Sequence, residues 1–142
     1  MEKNITIRPE RVSDYQQVED IIRQAFYNLY TPGCTEHYLA HAIRPHPDFC
    51  RSWTWCWSWT AVWSAISCTR RAHWWTRQGR RKGILTFGPV CIRPGLQRRG
   101  YGRLLMEESF RRASAMGYEA IVIFGDPNNY VGRGFQSCKK HR

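Results

Sequence analysis

Residues 84–105 constrain the fold of this chain most. Ile84-Leu85-Thr86-Phe87-Gly88-Pro89-Val90-Cys91-Ile92 is an apolar run of strand length, ended by Arg93-Pro94-Gly95. Residues 102–116 carry amphipathic helical spacing, with Leu104, Leu105, Phe110 and Ala113 among the apolar positions and Gly117 as the stop. Between strand and helix lies Gln97-Arg98-Arg99-Gly100-Tyr101-Gly102. Glycine lets a backbone approach a ligand closely. A helix N-terminus presents N–H groups and the positive end of a dipole. With Arg98, Arg99 and Arg103 added, the junction has the ingredients of a diphosphate cradle. The Gly88-Pro89 interruption predicts a bulge or a splay point in the strand.

The remaining pattern alternates between helix and strand within one domain, residues 1–142. Residues 5–8 alternate up to Pro9 and predict a first strand. Ser13 and Asp14 are candidate caps for a helix carrying Val18, Ile21, Ile22, Ala25 and Phe26, running to about Tyr30 before Thr31-Pro32-Gly33. Residues 35–43 predict a second helix, ended before Pro45 and Pro47. Residues 119–124 predict a buried strand, Asp126-Pro127 opens a short helix, and Gly134-Phe135 leads into a last strand fragment.

The charge is oddly distributed. The net charge is +11, yet no Asp or Glu occurs between Asp48 and Glu107, an interval that holds eleven Lys and Arg residues. The rest of the chain is balanced. Within that interval lie all 7 tryptophans, including Trp53, Trp55, Trp57 and Trp59 in strict alternation. Two ordinary readings are a one-faced strand of indoles and a stacking surface for single-stranded nucleic acid. A third accounts for more. Tryptophan has the single codon TGG. In the frame that borrows the last base of the preceding codon, each Trp becomes Leu, Met or Val. Thr54, Thr60 and Thr76 become Asp, and Cys56 and Trp75 become Val. The shifted text alternates, turns at an Asp-Gly-type pair and regains its acids. Residues 50–82 are therefore expected to be out of frame relative to an ancestral gene, with the frame recovered near Gly83.

Other features carry less. Cysteines 34, 50, 56, 68, 91 and 138 lack CxxC spacing, so free thiols are expected rather than a zinc site or disulfides. Cys91 and Cys138 suit small core positions. His37, His41 and His46 are expected at the surface, and Glu107 and Glu108 on a solvated helix face. No leader or membrane-spanning run is seen, which predicts a cytoplasmic protein with no membrane partner.

The Q-x-x-G-x-G loop between strand and helix resembles the pyrophosphate loop of the GNAT acetyltransferases. Asn129-Tyr130-Val131-Gly132-Arg133-Gly134-Phe135 is similar to that family's Y-x-x-x-G-F segment, and residues 5–14 resemble its opening strand and first helix. The likeness covers about 1–49 and 84–140. It implies a mixed, mostly antiparallel sheet with helices on both faces. It also implies acetyl-CoA as co-substrate and a primary amine as acceptor, the activity being N-acetyl transfer. The cofactor would pair with the strand at Val90, Cys91 and Ile92. It would sit on Gln97, Arg98, Arg99, Gly100, Tyr101, Gly102 and Arg103. Tyr130 would be the general acid that protonates the departing thiolate. No residue suggests itself as general base, and no metal is expected. On the out-of-frame reading, strands two and three have been replaced, and the chain stops at Arg142, short of the family's last strand. A catalytically dead remnant is the alternative, with a basic nucleic-acid-binding module behind it.

Overall fold

The computed structural model describes residues 5–49, 55–59 and 62–141. The chain forms strands β1 (Ile5–Pro9), β2 (Trp55–Trp59), β3 (Val62–Trp75), β4 (Arg81–Ile92) and β5 (Ile121–Val122), with helices α1 (Tyr15–Phe26), α2 (Glu36–Ile43), α3 (Tyr101–Ala115) and α4 (Pro127–Tyr130). One sheet runs in the order β1-β2-β3-β4-β5. The first four strands are antiparallel, and β5 lies parallel to β4 after the α3 crossover. The expected mixed, mostly antiparallel α+β architecture is the one observed.

Strands two and three are formed. β1 pairs with β2 from Ile5↔Trp59 to Pro9↔Trp55, and β3 continues along the length of β4. A period-two pattern rich in aromatic residues suits a strand in either reading frame. Trp53, Thr54 and Thr60, which enter the frame reading, lie outside the described residues.

The bulge predicted at Gly88-Pro89 is present. Ser67 pairs with Val90 and Thr69 with Phe87, so one residue of β3 stands against two of β4. Gly88 takes φ +147, a backbone conformation that L side chains rarely adopt. The extra residue reverses the alternation. Before it, Leu85 faces α3 and packs with Leu105, Met106 and Ala113; after it, Val90 and Ile92 lie on that same side. Cys91 consequently points to the other face, against Val18, Ile21, Ile22 and Ala40 of α1 and α2.

Each helix follows its apolar stripe, with adjustments. α1 buries Val18, Ile21 and Ile22 as expected but ends at Phe26, short of Tyr30. Asn28 adopts φ +55, and its backbone N–H and side-chain oxygen both pair with Gly33, closing a loop that displaces the last helical turn. Asp14 does not cap α1 with its side chain. It accepts two hydrogen bonds from Arg8, at 2.8 and 2.9 Å, and one from the Arg11 N–H at 2.8 Å, tying β1 to the turn before α1. α3 buries Tyr101, Leu105, Met106, Ser109 and Ala113, whereas Leu104 is exposed. It closes as expected at Gly117, with Tyr118 N–H bonded to the Ala113 carbonyl and Gly117 N–H to that of Ser114.

Two expectations fail. β5 is only two residues long and half-buried, because β4 leaves it at the bulge and their pairing stops at Thr86↔Val122. Among the described residues no strand follows Gly134; the chain there ends in a 3-10 turn, Cys138–His141.

Candidate active site

The divergence of β4 from β5 opens a gap that two cavities share. β5 pairs with β4 only at Leu85 and Thr86. The gap-side backbone of β4 from Phe87 onward therefore has no strand partner among the described residues.

The first cavity, about 330 Å³, is floored by Val90, Cys91 and Ile92 and rimmed by Gln97, Arg98, Gly100, Gly102 and Arg103. Its rim is the predicted loop, and its shape follows from backbone geometry. Gly100 is the N-cap of α3 at φ +84, and a Cβ there would meet nothing within 4 Å, so the space in front of the helix is open. Arg98 is itself left-handed, at φ +61. The Gln97 amide donates to the Ile92 carbonyl at 3.1 Å, folding the loop back onto the strand. The first turn of a helix carries N–H groups without intrahelical acceptors, and here they face a cavity with two guanidinium groups on its rim. No carboxylate lines it among the described residues. Arg103 also pairs with Glu107 at 2.8 Å. Burial pushes the Cys91 thiol up to about 12, so it is no nucleophile at neutral pH. Arg99 is exposed and does not line the cavity, and the Tyr101 side chain turns into the core.

The second cavity, about 440 Å³, lies further along the gap and shares Phe26, Tyr30, Val90 and Tyr130 with the first. Glu36, Leu39, Ile123, Phe124 and Asp126 complete much of its wall, and no Lys or Arg lines it among the described residues. Tyr130 thus stands at the junction. Its ring meets Phe135 edge-on at 5.9 Å between centroids, and Phe135 meets Phe110 of α3 at 5.4 Å. Gly125 lies beneath the ring, where an added Cβ would stand 2.4 Å from the ring Cε2.

Of the candidate residues read from the sequence, Val90, Cys91, Ile92, Gln97, Arg98, Gly100, Gly102, Arg103 and Tyr130 line these cavities, and Arg99 and Tyr101 do not. Sequence reasoning did not single out Phe26, Tyr30, Glu36 and Asp126 as cavity residues. The available signal was an aromatic-rich helix end, residues 26–30, running into a Pro-Gly break. The three helix and loop histidines are not part of either cavity; His41 bonds Glu19, and His37 contacts the Cys34 sulfur at 3.3 Å. Glu107 and Glu108 pair with arginines on the outer face of α3, as expected of a solvated face.

The pattern of the acetyltransferase (GNAT) family matches residues 15–136. The chain belongs to that family. Solved GNAT structures share its fold. One from Brucella melitensis, in complex with acetyl-CoA, is 21% identical with a TM-score of 0.82, over 95% of this chain and 84% of the other. The GNAT protein YhbS of Escherichia coli, in complex with CoA, is 20% identical with a TM-score of 0.84, over 99% and 73%. The aminoglycoside N-acetyltransferase AAC(6')-Iy, in complex with CoA, is 12% identical with a TM-score of 0.69, over 96% and 91%. No curated protein matches the chain. No helix among the described residues is long and apolar enough to cross a membrane.

Proposed function

We propose that this GNAT protein is an acetyl-CoA-dependent N-acetyltransferase acting on a primary amine. One observation carries the reading: two cavities of opposite character, a basic one and an acidic one, meet at Tyr130. Acetyl-CoA supplies a thioester when bound. The residues that would hold its diphosphate are Gln97, Arg98, Arg99, Gly100, Tyr101, Gly102 and Arg103. Arg98 and Arg103 provide charge, and Gly100 leaves room for the phosphates at the head of α3. Within that set Arg99 contributes long-range attraction from solvent, and Tyr101 anchors the helix from the core.

Val90, Cys91 and Ile92 offer backbone groups to the pantetheine arm. Amides of this edge can also stabilise negative charge at the acyl oxygen. The Ile92 carbonyl, already bonded to Gln97, serves the loop. Tyr130 gives its phenolic proton to the departing sulfur as the new C–N bond forms and the C–S bond breaks. The amine, which must attack in its neutral form, releases a proton to solvent. Protonation by a positioned side chain typically contributes about 10²–10⁴-fold.

Isothermal titration of the folded chain with acetyl-CoA tests the proposal. Saturable one-site binding, weakened when Gly100 is replaced by Val, is the expected result. Absence of binding by soluble, cooperatively melting protein removes the claim. Tyr130→Phe should then lower kcat and leave acetyl-CoA binding intact.

A further inference from the structure

We infer that the acceptor is a primary amine carried on a compact apolar body, of the arylalkylamine kind, held in the second cavity. The inference rests on the acetyltransferase reading above. The cavity, about 440 Å³, falls within the roughly 300–1,000 Å³ typical of small-molecule sites. Its charge is selective. In a chain of net charge +11, only three described carboxylates, Asp20, Glu36 and Asp126, have no Lys, Arg or His within ion-pair distance among the described residues. Two of those three line this one cavity.

Each carboxylate is also held in place. Glu36 accepts the Thr35 N–H at 3.0 Å, and Asp126 accepts the Asn128 N–H at 2.9 Å, each through one oxygen. The strongly basic chain would otherwise repel a protonated amine. A pocket with two carboxylates and no basic side chain among its described residues reverses that field locally.

The rest of the wall decides what carries the amine. Leu39, Ile123, Phe124 and the rings of Phe26 and Tyr30 are apolar surfaces, and Phe124 is 86% exposed, an aromatic face open to contact. A polyhydroxylated amine would bury hydroxyls there without partners, which weakens binding. A linear polyamine would place further charges against apolar wall. An aromatic or branched apolar body covers the wall and puts its ammonium among the acids. Tyr130, shared by both cavities, then lies between amine and thioester.

The experiment uses the full chain. Acetyl-CoA binding is measured first by calorimetry. CoA thiol release is then followed with 2-phenylethylamine, spermidine and kanamycin as acceptors. The expected result is a kcat/KM at least tenfold higher for 2-phenylethylamine than for the other two. Glu36→Gln with Asp126→Asn should raise its KM about tenfold and leave acetyl-CoA binding unchanged. Phe124→Ser should lower kcat/KM for 2-phenylethylamine and not for spermidine. Equal or better turnover of spermidine or kanamycin, or an unaltered KM in the double variant, overturns the inference. So does acetyl-CoA binding without turnover of the aromatic amine. Loss of acetyl-CoA binding itself sinks the underlying acetyltransferase reading instead.

Discussion

The two faces of the sheet are held by different physics. On the α3 face, Leu85, Leu105, Met106 and Ala113 form an apolar cluster, and the ion pairs of α3 lie outside in solvent. On the α1–α2 face, the apolar cluster is joined by buried charge. Arg44 sits at the end of α2 with a side chain only 5% exposed, bonded to Glu10 at 2.7 Å and to Glu19, over the ring of Tyr15 at 3.9 Å. Glu10 is 3% exposed. Greasy contact does not fix angles, whereas a guanidinium shared by two carboxylates does. The α1–α2 face needs the angles, because it carries Phe26 and Tyr30 to both cavities, while the α3 face holds Tyr130 through Phe135 and Phe110. The site is therefore split between a steered face and a packed one.

The largest expected effect breaks the steered face. Arg44→Ala strands the buried Glu10 carboxylate, leaves half-buried Glu19 with His41 alone, and should cost about 3 kcal/mol or more in denaturant unfolding. A cost below about 1 kcal/mol would mean that the network contributes no more than a surface pair. Leu105→Ala probes the packed face and should cost about 3 kcal/mol, through lost burial and a cavity. The two differ in salt response. Raising ionic strength should leave the Leu105→Ala penalty unchanged, and any sensitivity should appear with Arg44.

Gly125→Ala asks whether the packed face positions Tyr130. The new methyl group displaces the ring, and kcat should fall about tenfold, some 1.4 kcal/mol of barrier, with acetyl-CoA binding intact. An unchanged kcat would show that the ring position is unimportant.

The smallest effect separates the faces by pH. On α3, hydrogen bonds from Arg111 and Arg112 hold Glu108 down to about 2. The folded value is depressed, so this stabilisation is present above 4.5 and is lost as pH falls toward 2. Glu108 is half-buried but its partner Arg111 stands in solvent, so the contribution is only about 0.5 kcal/mol. Glu108→Gln should remove that much at pH 6 and nothing at pH 2, compared by urea midpoints. The α1–α2 face has opposing signs. Burial raises Glu10 despite Arg44, so its contribution favours the folded state below 4.5 and is lost as pH rises through the raised value. Burial also pushes Asp14 upward, but the bonds from Arg8 and the Arg11 amide outweigh it, and its stabilisation is lost as acid is added.

The legible part of this molecule is the part governed by short-range rules. Val18, Ile21 and Ile22 recur at helical spacing, Gly117 can close a helix, and Gly88-Pro89 cannot continue a regular strand. The junction of Gln97 to Gly102 with α3 was readable because a strand-loop-helix turn is built from consecutive residues. What stayed hidden depends on partners distant in sequence. Asp14 serves Arg8 rather than α1, Asn28 ends its helix by reaching Gly33, and β5 is short because β4 turns away. Glu36 and Asp126 stand 90 positions apart in the chain, and only the folded gap makes them neighbours of one cavity.

The extra residue in β4 has a consequence for how this family member can vary. Phe87 and Val90 are three residues apart on β4 but pair with Thr69 and Ser67, which are two apart on β3. A single deletion at Gly88-Pro89 would therefore make the pairing regular and still leave Val90 and Ile92 toward α3 and Cys91 toward α1. The two apolar clusters do not need the extra residue; the departure of β4 from β5, and with it the gap between them, does.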